Sequence, residues 1–210
     1  MLEKLPKKIA IFPLSGVIYF PKTKLPLNIF EQRYLDLVKD AYDNNKLMGM
    51  VQSRKGTNEI YKVGCLGKIS DFLETGDGRV LINLVGMTRF DIIKEIDNKK
   101  KYREFEVDYE RFKNDFNVKD AAIAEIKILQ DLKRKTKVFF EKNSLILNWK
   151  EFDKLELNQQ INTIAMIAPV SNEEKQKLLE TKNFSEKTNT LSEIIEFYLH
   201  EKDGFKGSLQ

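Results

Sequence analysis

The 210-residue chain contains one cysteine, Cys65, and one histidine, His200, and that inventory bounds its chemistry at once. A nucleophilic thiol needs a neighbouring base and a lowered pKa, but the only imidazole lies far along the chain, in a segment of helical pattern. Cys65 is therefore expected in the core, the usual place of a free cysteine, and His200 is expected to be solvated near a helix end. The same inventory excludes an internal disulfide, a Cys/His zinc site and any triad built on several histidines. Phosphate loops fail on spacing. Gly67-Lys68 is followed by Ile69, and Lys62 stands where the first glycine of G-x-x-x-x-G-K-[ST] belongs, while Gly76 and Gly78 lack a third glycine. Asp71, Glu74 and Asp77 could attract a divalent ion but do not fit the calcium-loop pattern, so an acidic hairpin is expected. No catalytic residue, metal or cofactor is implied.

Two kinds of binding surface remain. Lys99-Lys100-Lys101 with Arg103, and Lys133-Arg134-Lys135 with Lys137, read as solvated faces or as phosphate contacts with Tyr102 as a stacking neighbour. The net charge of +4 is too small for a dedicated nucleic-acid binder. The other candidates are apolar residues at expected turns: Ile18, Tyr19 and Phe20 before Pro21, Met48 and Met50 around Gly49, and Met87 after Gly86. Exposed aromatic and methionine side chains form adaptable surfaces for unfolded or peptide-like partners. The competing expectation is that these six fill the interior of a barrel.

Glycine and proline set out the elements that carry these residues. Eight of the ten glycines fall between Gly16 and Gly86, and four of the five prolines lie at or before Pro26. Both residues serve turns and strand irregularities and are costly inside helices, so a strand-rich first part and a helical second part are expected. Strand-like runs occupy Lys8–Leu14, Leu47–Val51, Glu59–Ile69 and Arg79–Val85, followed by an alternating pair around Phe90–Ile96 and Phe105–Tyr109. Several short strands with regular turns suggest a small barrel or curled sheet. One helix interrupts them, with Tyr34, Leu35, Val38, Ala41 and Tyr42 on one stripe.

Beyond residue 115 the period becomes helical. Lys119–Lys142 places Ile126, Leu129, Leu132 and Phe139 inward, and Leu157, Ile161, Ile164, Ala165 and Ala168 form a second stripe ended by Pro169. Capping-box patterns stand at Ser171/Glu174 and Thr190/Glu193. About four helices are expected, with Glu110–Asn117 as the connection. No apolar run approaches the roughly 18 residues of a membrane span. Pro13 breaks the apolar run after Lys4, Lys7 and Lys8, so the N-terminus reads as a strand rather than an export signal. A soluble cytoplasmic protein without membrane contact is expected.

Several ordered motifs resemble the N-terminal substrate-binding domain of Lon proteases: Phe12-Pro13-Leu14, Phe20-Pro21, Leu25-Pro26-Leu27, Ile29-Phe30-Glu31-Gln32-Arg33-Tyr34, Gly64-Cys65-Leu66-Gly67-Lys68-Ile69, and Gly78 through Gly86 with Arg89-Phe90. Gln32 departs from the family, which commonly has proline there, a residue suited to a helix start. The resemblance implies an α+β fold: a PUA-like β pseudo-barrel with one inserted helix over residues 1–112, then a bundle of about four helices over 113–210. It implies a stand-alone, non-catalytic domain that binds unfolded or degron-bearing polypeptide segments, with an adaptor or proteostasis role beside a protease or chaperone. The ATPase and Ser/Lys peptidase modules of those proteases have no room in this chain. RNA or small-ligand binding by the barrel is the alternative. Arg33 and Arg89 are expected to pair with carboxylates such as Glu31 as part of the architecture.

Overall fold

The computed structural model describes residues 4–54, 56–57, 59–116 and 123–204. The chain divides into two compact units, residues 1–118 and 119–210. The fold is α+β, with a β-sheet unit first and a helical unit second.

The first unit is built from β1 (Lys8–Leu14), β2 (Lys24–Ile29), α1 (Gln32–Asp43), β3 (Leu47–Gln52), β4 (Val63–Glu74), β5 (Val80–Ile96) and β6 (Arg103–Asp108). The strands run β2-β5-β4-β3-β1-β6, and β6 also pairs with β5. Strands β1, β3, β4, β5 and β6 thus close a ring, while β2 extends the sheet outward along the first half of β5. Closure needs β5 to serve two neighbourhoods. Its residues Val80–Val85 pair with β2, and Asp91–Ile96 pair with β6. The expected two strands on either side of Gly86 are therefore one 17-residue strand, bent by register shifts at Leu66/Gly67, Ile69/Asp71 and Ile92/Lys94. Such bulges add local twist, which a small closed sheet requires. The parallel pair β1–β3 has a crossover connection, supplied by β2 and α1.

Ile9, Ile11, Val51, Leu66, Phe90, Phe105, Val107 and Tyr109 fill the ring. One wall is sealed by the segment between β1 and β2. Gly86 N–H donates to the Thr23 carbonyl (2.9 Å) and Lys22 N–H to the Gly86 carbonyl (2.8 Å). A Cβ on Gly86 would sit 2.2 Å from the Phe20 carbonyl oxygen, so glycine is what lets the two backbones touch. Strand β2 lies outside the expected strand-like runs and carries Pro26 within it. Proline cannot donate to a ladder and is tolerated at sheet edges, which is where β2 lies.

The segment expected to connect the two parts instead belongs to the first unit. Glu110–Phe116 forms a 3-10 helix kinked at Phe112, whose ring is fully buried beneath the Arg89 guanidinium, 4.3 Å from its carbon. Asp115 accepts from Arg89 Nε (3.0 Å), Nη2 (2.7 Å) and the Arg89 backbone N–H (2.9 Å). Both side chains are buried. Arg33 behaves differently, holding Glu31 at 2.8 Å on the surface.

The second unit contains α2 (Ile123–Lys142), the single turn α3 (Trp149–Phe152), α4 (Leu157–Ile167), α5 (Asn172–Glu180) and α6 (Phe184–Gly204). Leu129, Leu132, Phe139, Phe140, Phe152, Ile161, Ile164, Leu178, Leu179, Leu191 and Ile195 form its interior. Ile126, expected inward, is exposed. The Ser171/Glu174 capping box is present in full, and Ala168 takes the extended conformation that a following proline imposes. The second box is displaced. Helix α6 starts six residues before Thr190, where Asn183 Oδ1 accepts the Glu186 N–H (2.9 Å). Inside the helix Thr188 satisfies its hydroxyl on the Phe184 carbonyl (2.7 Å), so a threonine there need not cap.

Candidate functional site

Most of the side chains singled out for chemistry are structural. Cys65 is buried, and its carbonyl accepts from the Tyr19 hydroxyl at 3.3 Å. His200 is exposed. Asp71 accepts from Ser70 Oγ (2.7 Å) and Asn83 Nδ2 (3.0 Å), Glu74 pairs with Lys39 and Asp77 with Arg79. These carboxylates are thus divided among separate partners, and the described residues contain no group of three or more His, Cys, Asp or Glu able to hold a metal ion. No described helix is long and apolar enough to cross a membrane.

The apolar residues expected at the surface need correction. Ile18, Tyr19, Phe20, Met48 and Met50 are at most 5% exposed, because the sheet closes over them. Burial pushes the Tyr19 hydroxyl well above its usual pKa, consistent with a neutral phenol locked in the interior. Only Met87 is half-exposed, at the lip of a surface cleft.

The basic runs are also not open phosphate contacts. Lys100 Nζ donates to the Tyr102 hydroxyl (2.6 Å), which donates to Asp40 Oδ2 (2.5 Å). Lys101 meets Asp36 and Arg103 meets Glu95. Burial and the hydrogen bond to Asp40 push the Tyr102 hydroxyl up to about 12. In the second unit Lys133 pairs with Asp153, Arg134 with Asp131 and Lys135 with Glu196, and Lys137 lies over the Trp149 ring. The ion pairs neutralise most of the charge that phosphates would contact.

The feature that stands open is the outer face of the three-stranded limb β2–β5–β4. Register places three rows across it. Leu73, Leu81 and Asn28 form the first, Asp71, Asn83 and Pro26 the second, and Lys68, Val85 and Lys24 the third. Side chains two apart on a strand share a face, and the opposite face of the limb is the packed one. There Leu25, Ile29, Ile69, Val80, Ile82 and Leu84 are buried, and Phe72 stacks on Tyr42 of α1 with ring centroids 4.4 Å apart. On the outer face Leu73 is 59% exposed and Leu81 39%, and Phe30, just past the end of β2, is 66% exposed. Met87 and Val85 lead from the third row into a cleft of about 660 Å³ that Asn44, Asn45, Lys46, Lys68, Ile69 and Ser70 complete. Leu73 and Leu81 escape a reading of sequence because Val80–Val85 is an almost unbroken apolar run that does not reveal which side is wet. Phe30 was visible only as part of a motif.

Comparison with known proteins gives a consistent result. The family model described as the ATP-dependent protease La (LON) substrate-binding domain matches residues 8–196. The Lon protease of Syntrophus aciditrophicus is 25% identical over 209 residues, 93% of this chain and 26% of that protein. Lon protease 2 of Syntrophobacter fumaroxidans is 32% identical over 112 residues, 50% of this chain and 14% of that protein. The chain thus spans about a quarter or less of the length of these relatives. Among solved structures, the N-terminal domain of the Mycobacterium avium complex Lon protease superposes with a TM-score of 0.70 at 14% identity, covering 90% of this chain and 98% of that one. A Lon N-terminal domain protein from Xanthomonas campestris gives 0.63 at 20% identity, covering 84% and 92%.

Proposed function

Because the chain belongs to the substrate-binding domain family of the ATP-dependent protease La (Lon), we propose that it is a non-catalytic cytoplasmic polypeptide-binding protein whose contact surface is the outer face of β2, β5 and β4. It would hold unfolded or degron-bearing segments and act as an adaptor beside a protease or chaperone. The observation that carries this reading is the exposed cross-strand pair Leu73–Leu81, with Phe30 close along the same face. Contiguous exposed apolar side chains rimmed by polar residues are where partners dock. Leu73 and Leu81 are already partly buried, so covering what remains exposed would contribute roughly half of the 1.5–3 kcal/mol of a full burial for each. Client contact here rests on side chains more than on strand addition, because Pro26 removes a donor from the free edge of β2. The ion pairs across both basic runs weigh against RNA as the partner.

The test uses a fluorescent, permanently unfolded polypeptide, followed by anisotropy. The double variant Leu73→Thr/Leu81→Thr keeps β-favouring residues in both strands and should fold as the parent does. Its affinity should fall by about tenfold or more, since ~1.4 kcal/mol is a factor of ten. Unchanged affinity would sink this placement of the surface.

A further inference from the structure

The third row of the same face carries charge that the protein leaves open. Lys68 and Lys46 share the lining of the cleft beside Val85 and Met87, and neither forms an ion pair among the described residues. Lys46 is held by its backbone rather than by a carboxylate. It sits at φ +61°, its N–H donates to the Ala41 carbonyl (2.8 Å), and its carbonyl accepts from Ile69 (2.8 Å). Its ammonium lies 4.5 Å from the centre of the Tyr42 ring. Lys24 stands at the other end of the row, across Val85 from Lys68. Some exposed lysines of this unit, among them Lys8, Lys39, Lys94, Lys100 and Lys101, meet carboxylates. What sets Lys46 and Lys68 apart is that they share one cleft with the apolar Val85 and Met87.

Between the apolar row and this basic row stands Asp71. Hydrogen bonds from Ser70 and Asn83, with Lys24 nearby, hold its carboxyl below the usual range, so the middle row keeps a negative charge. A ligand carboxylate there would meet like charge, which disfavours it. One row further on it would meet two lysines.

We infer that the outer face of the β2–β5–β4 limb selects extended polypeptide segments in which an apolar side chain is followed or preceded, four residues away, by an acidic one, the apolar group seating on Leu73 and Leu81 and the carboxylate on Lys46 and Lys68. The spacing follows from β5. Leu81 and Val85 are four residues apart in an unbroken stretch of strand paired with β2, and at about 3.3 Å per residue the rows are separated by about 13 Å. An extended client spans that distance with the same number of residues. The inference rests on the polypeptide-binding reading and names the client chemistry for it.

The test uses the full chain and three synthetic twelve-residue peptides. One carries Leu-Phe with Asp-Glu placed four residues away, the second replaces Asp-Glu with Asn-Gln, and the third moves Asp-Glu to two residues away. The first should bind about tenfold more tightly than the other two at low salt, with the difference shrinking as salt rises. The double variant Lys46→Gln/Lys68→Gln should bind all three alike, at the affinity the parent chain shows for the second. Equal binding of the first and second peptides, or an acidic preference that survives in the lysine variant, would overturn the inference. It would leave the polypeptide reading intact if Leu73→Thr/Leu81→Thr still weakens the unfolded polypeptide. If none of the peptides binds and that leucine variant also changes nothing, both fall. Displacement of the first peptide by equimolar single-stranded RNA would assign the lysines to phosphate and overturn the inference as well.

Discussion

The two units deploy their basic residues in different ways. On α2 the run Lys133-Arg134-Lys135 is answered residue by residue, by Asp153, Asp131 and Glu196, and Lys137 covers an indole. In the first unit Lys100, Lys101 and Arg103 of the run near β6 are likewise answered, by Asp40, Asp36 and Glu95. Lysines that stand singly in the sequence, Lys46 and Lys68, face a cleft with no carboxylate opposite. Clustering of charge in sequence is thus a poor guide to free charge in space. Surface ion pairs contribute little to stability, about 0–1 kcal/mol each, but they remove a cation from the set available to a partner. Arg134–Asp131 is a pair of i,i+3 neighbours on one helix face, whereas Lys133 and Lys135 reach carboxylates on Asp153 and Glu196, distant in sequence.

The units also differ in where they bury charge. Arg89 and Asp115, at 3% and 9% side-chain exposure, tie the 3-10 segment to β5. In the second unit the enclosed charge is Lys187, 6% exposed, whose Nζ donates to Asn162 Oδ1 (2.8 Å). Replacing Asp115 with alanine takes a two-pronged acceptor from a buried guanidinium and should lower the stability of the first unit by about 3–5 kcal/mol. The readouts separate the units. Trp149, the single tryptophan, reports the second, and the sheet amide I infrared band reports the first. The sheet transition should move to lower denaturant while the tryptophan transition stays. A joint shift of both would break the comparison by showing one cooperative system.

A smaller effect sharpens the same contrast. Six of the seven tyrosines lie in the first unit, and Tyr102 is held neutral up to about 12 against an ordinary value of 10.0. An unfolded chain would release that proton earlier. The contribution is therefore fully present below pH 10 and lost as pH rises towards 12. Burial raises the hydroxyl of Tyr109 as well. The sheet transition should weaken between pH 10 and 12 more than the tryptophan transition does. Equal weakening of the two would remove Tyr102 and its Asp40 contact as a feature particular to this unit.

Much of the architecture was legible because its punctuation is local. Gly67 and Gly86 permit contacts that a Cβ would forbid, 2.1 Å from the Tyr19 hydroxyl and 2.2 Å from the Phe20 carbonyl, and both belong to the glycine-rich first part whose irregular strands were expected from composition. Pro169 ended a helix as its chemistry requires, and Ser171 capped one. What escaped depended on partners distant in sequence. Whether β5 is one strand or two, and whether Tyr19 and Met48 face in or out, is decided by ring closure, which no window of residues contains. The site escaped for the same reason. Leu73 and Leu81 become a surface only when paired, and Lys46 and Lys68 become a cleft only when α1 and β4 meet.

The central claim is that the outer face of β2, β5 and β4 holds polypeptide. Its most direct test is a titration of the isotope-labelled chain with a permanently unfolded polypeptide, followed through amide chemical shifts. Shift changes confined to Phe30, the rows from Leu73 and Leu81 to Lys68 and Val85, and the Lys46 turn are the predicted result. Changes restricted to the helical unit, or none at saturating polypeptide, would contradict it.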